Sequence, residues 1–459
     1  GFVFVYLTRG LLTTLLPGNS TPLTLDVEPD VRVLAFTAAV SLLTGLLFGL
    51  APALRATKVG VAPDLKDNAR TASKAKSRLS KALLVGQVAT SLLLLIGAGL
   101  FVRTLQNLEN VDLGFNRKNL LIFRVDPTLN GYEGARAANL YQQMKERVEA
   151  LPGVRSVGLS RHALVSGSAM IAMFGDQTPV YLQKVSPNFF DTMEIPLLIG
   201  RNFTGQDDDG SSKVVIVNES YARIFFPGEN PVGKRIKLGK SPTSPELEVV
   251  GLVKDAKYSR VRDDTPATAY TPYLQGVKGL REMTFEVRTV GDPTEMIGAV
   301  RQAAQEVDSN VPLFNVNTQE EQVNQALTGE RLFARLSSLF GALALALACI
   351  GLYGLMSYSV ARRTHEIGIR MALGAQPGNV RWMVMREIML LVIAGVVLGL
   401  AAGLAGMQVI SSMLFGLTAT DPATLTIAIL ILVAVTAFAG YLPARRASRV
   451  DPMIALRYE

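Results

Sequence analysis

Residues of several kinds sit at spacings that could do chemistry. Gly228, Gly233 and Lys234 have the spacing of a phosphate-binding loop, in which glycines let backbone amides approach a phosphate and lysine neutralises it. Here Arg235 follows, where a hydroxyl would ligate magnesium, and the alternating run Arg235–Leu238 predicts a strand instead of a helix N-terminus. The segment therefore reads as a turn rich in Gly and Pro. Asp207, Asp208 and Asp209 beside Gly210 could hold a cation, but with no further ligand at a fixed spacing they read as a solvated loop. Ser160, Arg161 and His162 bring a hydroxyl near an imidazole without the third group that a nucleophile relay needs. The histidines, His162 and His365, lie far apart, and a lone cysteine, Cys349, excludes an intramolecular disulfide. No catalytic, cofactor or metal site is expected.

The elements that would have to position any site are dominated by membrane spans. Only 18% of residues are charged, against about a quarter in a typical soluble domain, and the deficit is concentrated in long uncharged stretches. Five of these reach the about 20 apolar residues that a bilayer requires: Val33–Leu54, Ala82–Val102, Leu336–Ala361, Ile388–Leu414 and Ala423–Leu442. Residues 1–16 look like the tail of a sixth span, interrupted by Arg9 and reaching only about 24 Å as a helix. Basic residues outnumber acidic ones heavily in 55–81, in 362–387 and after Leu442, whereas Pro17–Asp30 and Gly416–Asp421 hold no Lys or Arg. The positive-inside rule places the three basic regions in the cytoplasm and the long segment 105–330 outside. The net charge of +8 then reflects membrane orientation, and nucleic-acid binding is not expected.

Two segments repeat. Asp30–Lys66 lies over Asp421–Arg457 without a gap, with Pro52, Ala53, Arg55, Ala56 and Val59 falling on Pro443, Ala444, Arg446, Ala447 and Val450. Two helices with the same basic exit predict a duplicated membrane unit, of which residues 1–54 are the last helices of a truncated first copy.

Residues 105–330 mix periods. Leu120–Val125, Val214–Val217, Leu247–Val253 and Met283–Arg288 read as strands. Ala137, Tyr141, Met144, Val148 and Leu151 form the stripe of an amphipathic helix, and further helices are expected near 293–308 and 318–331. The fold class is a multi-pass α-helical membrane protein with a large α+β extracytoplasmic domain.

The connection 362–387 carries the most specific stretch. Ile367, Met371 and Gly374 share one side of a short amphipathic helix, Glu366 and Arg370 pair at i,i+4, Gly374 supplies a stop and Pro377 prevents simple continuation. The run Glu366, Ile367, Gly368, Ile369, Arg370, Met371, Ala372, Leu373, Gly374, Ala375 resembles the signature of the MacB/FtsX-like ABC permeases. So does the order of one span, a large outer domain and three spans. The outer domain is similar to the MacB-like periplasmic core at Val185–Phe190, Ile195–Leu197, Gly200–Phe203, Val217–Glu219 and Phe226–Ile236, and the exit Pro443–Ala447 with Asp451 and Pro452 matches the family's ending. The duplication suggests the eight-span duplicated permeases of acidobacteria.

The resemblance implies that His365–Ala375 is the segment that couples to a cytoplasmic ABC ATPase subunit, with no catalysis in this chain. It implies mechanical transmission to the outer side of the cell inner membrane, and a periplasmic or outer-membrane partner is compatible with it. It also implies a division into a basic cytoplasmic linker at 55–81, a membrane helix at 82–104, a MacB-like periplasmic core at 105–330 and an FtsX-like permease domain at 331–459. Gly395, Gly399, Gly403 and Gly406, and on another span Gly341, Ala348, Gly351 and Gly354, permit close helix packing. The spans carry no buried charges apart from Arg9, which argues against an ion-coupled transporter, and no Walker motif lies in the cytoplasmic segments. The alternative is a membrane-anchored extracytoplasmic sensor or scaffold that works without an ATPase. An anchored periplasmic enzyme lacks a recognisable site.

Overall fold

The computed structural model describes residues 31–56, 65–174, 178–237, 245–418 and 420–449. The remnant span at 1–16, the loop to Asp30, residues 57–64 of the repeat and the tail from Val450 lie outside the described residues. The rest divides into two compact units: a membrane unit from the described residues up to Gly99 with Leu336–Ile410 and 420–449, and an outer unit from Leu100–Arg335 with 411–418.

The first helix, α1, spans Val31–Ala56, with no acidic residue in its first turn. Next, α2 runs over Leu65–Glu109, and the basic stretch expected as a linker is helical from Leu65. The outer unit then opens on β1 (Leu120–Val125), α3 (Gly134–Glu149), β2 (Val154–Ser160), β3 (Met170–Phe174) and β4 (Thr178–Val185). It continues through α4 (Phe189–Met193), β5 (Leu197–Gly200), β6 (Val214–Asn218), α5 (Glu219–Phe225), β7 (Arg235–Lys237) and β8 (Glu246–Val253). It closes with β9 (Thr268–Pro272), β10 (Met283–Thr289), α6 (Ile297–Val307), β11 (Leu313–Thr318) and α7 (Gln319–Ala326).

These strands form one sheet in the order β11-β1-β10-β2-β4-β9-β6-β8-β5, with β3 on β4 and β7 on β8. Its two halves meet at a single bridging pair, Ser160 with Val185. The half around β1, β10 and β2 is antiparallel, while β4 with β9 and β6 with β8 run parallel. Two main cores lie on opposite faces of β1, one on Leu121, Phe123 and Val125 and the other on Leu120 and Ile122. The stripe Ala137, Tyr141, Met144 and Val148 of α3 is fully buried against Phe123, Phe285 and Val287, and the two rings stack with centroids 4.9 Å apart. In the second core Phe190 packs edge to face on Tyr270 beside Phe189, and the cluster runs from Leu120 and Ile122 to Ile216 of β6 and Val253 of β8. Each buried side chain of this size contributes roughly 1.5–3 kcal/mol. Local chemistry sets the helix starts: Asn218 accepts from the Tyr221 amide and Thr318 from the Glu321 amide.

The chain then re-enters the membrane unit through α8 (Thr328–Arg362), α9 (Thr364–Ala372), α10 (Pro377–Ser411) and α11 (Pro422–Ala447). Among the described residues four helices are long and apolar enough to cross a membrane: Leu79–Glu109, Thr328–Arg362, Pro377–Gly406 and Pro422–Ala447. The fifth expected span, Val33–Leu54, falls in α1, where the described apolar stretch is the shorter Leu34–Leu46. Helices α1 and α11 each have 26 residues, and in the gapless repeat alignment their ends coincide. Asp421 caps α11 by accepting from the Thr424 amide at 2.8 Å, with Pro422 in the first turn.

Candidate functional site

The connection between α8 and α10 is the most heavily shaped part of the membrane unit. Helix α8 gives out at Arg362, and the Arg363 amide closes its last turn by donating to Ser359 and Val360. Helix α9 follows after that one residue. Its exit is a Schellman motif: the Gly374 amide donates to Met371 and the Ala375 amide to Arg370, both at 3.0 Å, with Gly374 at φ +92°. That left-handed geometry is open to glycine at little cost and strained for most other residues. Pro377 then starts α10, where its missing N–H costs nothing.

Two faces of α9 differ. Ile367 and Gly368 are buried and Met371 is half-buried, whereas Gly374 lies beyond the helix and is exposed, so it does not share that stripe. The opposite face carries Glu366, Ile369, Arg370 and Leu373, with Ala372 and Gly374 exposed beside them and Ala375 half-buried. Leu373 is 83% exposed, and Trp382 on the first turns of α10 is 70% exposed. Glu366 and Arg370 pair at 2.6 Å, a surface bridge worth about 0.3–0.5 kcal/mol. Of His365 only the backbone, within α9, is described.

A second ion pair anchors this region. The Glu387 carboxylate of α10 accepts from Lys81 of α2 at 2.5 Å and from Arg363 at 3.0 Å. It ties α2 and α10 to the residue that joins α8 to α9 and is only 22% exposed, so it is screened less than a surface pair. Nothing in the spacing of Lys81, Arg363 and Glu387 announced this cluster. Its one sequence signal is an acid at the start of a span otherwise flanked by bases.

The glycines of α10 were expected to pack together. A Cβ on Gly395 would lie 2.5 Å from Val88, and one on Gly399 would lie 2.9 Å from the Ala89 carbonyl, both on α2. Gly403 meets only the end of Leu93, and Gly406 has nothing within 4 Å. On α8, Gly351 abuts Gln87 and Ala348 is buried, Gly341 makes ordinary contact with Leu94, and Gly354 is open. Ser91 of α2 donates to the Ala344 carbonyl at 3.0 Å, an interhelical bond of the kind that joins helices without a hydrophobic drive.

The other candidates resolve into structure. Gly228 and Gly233 take φ +76° and +85° in the turn between α5 and β7, and Lys234 pairs with Glu229 while lying over the Phe226 ring. Asp207 takes a two-pronged bond from Arg201 at 2.8 and 2.9 Å, which holds its carboxyl below the usual range. Asp208 caps Gly210 and Ser211, and Asp209 accepts from the Gly276 amide, which lowers its carboxyl. Ser160 contacts Glu286 at 2.5 Å and the His162 carbonyl at 2.9 Å, and burial holds His162 below its ordinary value.

Against known families, the FtsX-like permease C-terminal model matches residues 338–452 and the MacB-like periplasmic core domain matches 82–307. The chain is 26% identical over 405 residues to the macrolide export ATP-binding/permease protein MacB of Bdellovibrio bacteriovorus, covering 84% of this chain and 60% of that one. It is 29% identical over 285 residues to the MacB of Agrobacterium fabrum, covering 59% and 42%. It thus spans about half the length of the curated relatives it matches. Among solved structures, the periplasmic region of MacB from Actinobacillus actinomycetemcomitans aligns with a TM-score of 0.33 at 18% identity, over 49% of this chain and 97% of that one.

Proposed function

We propose, for a chain that belongs to the MacB/FtsX-like ABC transporter permease family, that residues 364–375 take up the motion of an ATP-binding component and pass it to the outer domain. The chain is a multi-pass inner-membrane permease with a MacB-like periplasmic domain. In this reading the hydrolytic site belongs to a cytoplasmic ABC ATPase subunit, and this chain contributes no catalysis. The motion serves export or mechanical work on the periplasmic side, with a periplasmic or outer-membrane partner compatible with either. Gly395 and Gly399 keep α10 in close register with α2, so that the helices move as a packed set.

One observation carries the reading. Helix α9 buries Ile367 and Gly368 while presenting Ile369 and Leu373, with Trp382 exposed nearby, on the side that the basic connections place in the cytoplasm. Apolar side chains exposed on a short, sharply capped connector are what a partner's groove would bury. The base beneath them is fixed by Lys81, Arg363 and Glu387, so a push on α9 would be delivered to three helices instead of being absorbed in a loop. The test is co-purification with the ABC ATPase and nucleotide turnover, comparing wild type with Glu366→Ala and Gly368→Trp. Loss of binding or of permease-dependent turnover supports coupling through this segment. Normal binding and turnover in both variants removes that role, and a chain that captures no ATPase points to a sensor or scaffold.

A further inference from the structure

The outer unit contains a row of three cavities joined by shared walls. The first, about 240 Å³, is lined by Phe101 and Thr104 of α2, Phe333 of α8 and Met413. It also touches Arg262 and Glu330, which form part of the wall of a second cavity of about 410 Å³. That size lies within the range of small-molecule sites. The second shares Ser166 and Gln322 with a third, smaller cavity of about 140 Å³, whose walls include Arg124, Arg161 and His162. The row therefore runs from aromatic and thioether side chains, past Arg262 and Glu330 and a polar middle cavity that includes Arg260 and Asp263, to an end where Arg124 and Arg161 outnumber Glu282.

Its framework is built and not incidental. The Arg262 guanidinium donates to the carbonyls of Ser412 and Met413 at 3.3 and 2.8 Å and faces Glu330 at 3.8 Å, which fixes this shared wall. Val165, which lines the middle cavity, is a buried β-branched residue at φ +61°, a conformation that costs roughly 1–3 kcal/mol and persists only where its surroundings impose it. Its amide donates to Tyr258 at 2.7 Å and its carbonyl accepts from Gln322. At the cationic end Arg124 pairs with Glu282 at 3.2 Å, yet its buried Nε has no acceptor among the described residues. That leaves a donor whose burial costs about 1–3 kcal/mol unless something else accepts. Phe101 and Phe333 lie on helices that are long and apolar enough to cross a membrane.

We propose that this row is one binding site for an anionic amphiphile, with a single alkyl chain against Phe101, Phe333 and Met413 and an anionic head on Arg124 and Arg161. Neither end suffices alone. The apolar cavity gives no orientation, and the cationic one, partly neutralised by Glu282, gives an anion little beyond its exchange from water. This extends the permease reading by naming the chemical class that the outer domain takes, but binding requires neither nucleotide nor ATPase.

The test uses the full chain in lipid nanodiscs, titrated calorimetrically with octyl phosphate, hexyl phosphate and inorganic phosphate, with empty nanodiscs as the blank for partitioning. The site predicts saturable binding of one octyl phosphate per chain, and weakening of about fifteenfold on removing two methylenes, since each buried methylene is worth roughly fourfold. Arg161→Ala weakens octyl phosphate at least tenfold and Arg161→Lys restores most of it, which separates lost charge from lost folding. Phe333→Ser reduces the dependence on chain length while leaving the charge dependence in place. Equal affinity for inorganic phosphate and octyl phosphate would overturn the proposal, as would binding indifferent to Arg161→Ala. Because no ATPase is present, either failure leaves coupling through α9 standing, and loss of coupling in α9 variants leaves this binding intact.

Discussion

Replacing Glu286 with Gln isolates a buried charge in the middle of the outer sheet. Glu286 lies on β10, is fully buried, and among the described residues shares a side-chain hydrogen bond only with the Ser160 hydroxyl, its second oxygen having no hydrogen-bond partner there. The Ser160 hydroxyl has one proton and two neighbours, the Glu286 carboxyl and the His162 carbonyl. Both can be satisfied only if Glu286 is itself protonated and donates to Ser160. Burial is the dominant cause, and it pushes Glu286 up from 4.5 to about 8, with no cation close enough to offset it. The folded state therefore holds a proton that the unfolded chain has released. This stability is fully present below about pH 4.5 and is lost as pH rises towards 8, at roughly 1.4 kcal/mol per unit. Glu286→Gln keeps the shape and stays neutral, so it matches wild type at pH 5 to within about 1 kcal/mol and exceeds it by roughly 3 kcal/mol at pH 7. Hydrogen exchange of β10 and β2 peptides in the full chain, compared at matched pH so that intrinsic rates cancel, reads this difference as a hundredfold or greater gain in protection. A gap independent of pH, or a variant less protected than wild type at pH 8, would refute the argument.

Other perturbations have equally definite outcomes. Gly399→Ala must push against the Ala89 backbone and costs about 1–3 kcal/mol of overpacking, whereas Gly406→Ala has open space and is neutral or slightly stabilising; thermal melts in one detergent compare them. Glu387→Ala leaves Lys81 and Arg363 facing each other without their shared carboxylate, so exchange in the 364–375 peptide accelerates at least tenfold, and an unchanged rate would show that the ion pair anchors nothing. Asp421→Ala removes the cap of α11 and lowers its stability by about 1 kcal/mol, seen as faster exchange confined to its first turn.

Much of the architecture was legible because its signals are local. Uncharged runs reveal spans, and the 3.6-residue stripe from Ala137 to Val148 identified α3 and its buried face. The strands read from sequence include the continuous apolar run of Val214–Asn218 and the alternating one of Met283–Thr289. The strand Thr178–Val185 has a more mixed face, and Leu197–Gly200 is short and exposed; their positions are fixed by sheet partners far along the chain. The loop after α10 was read only as a link between spans, yet Asn107 and Arg262 donate to its carbonyls and bind it into the outer unit. In the connection the Glu366–Arg370 pair and the Gly374 stop follow from spacing alone. Gly374 was misplaced on the apolar face because it sits past the helix end, where periodicity no longer applies. Lys81 with Glu387 and Arg161 with Arg124 are tertiary pairings that no window of sequence contains.

In the proposed role, motion enters at α9 and emerges in the outer domain. The direct measurement is hydrogen exchange of the outer-domain peptides in the reconstituted complex with its ATPase, with and without ATP and vanadate, for wild type and Leu373→Asp. Leu373 is exposed, so its replacement leaves the fold intact while placing a charge on the docking face. Coupling through α9 produces nucleotide-dependent changes in residues 105–330 of wild type that vanish in Leu373→Asp. Changes of equal size in both proteins, or none in wild type under turnover, would contradict it.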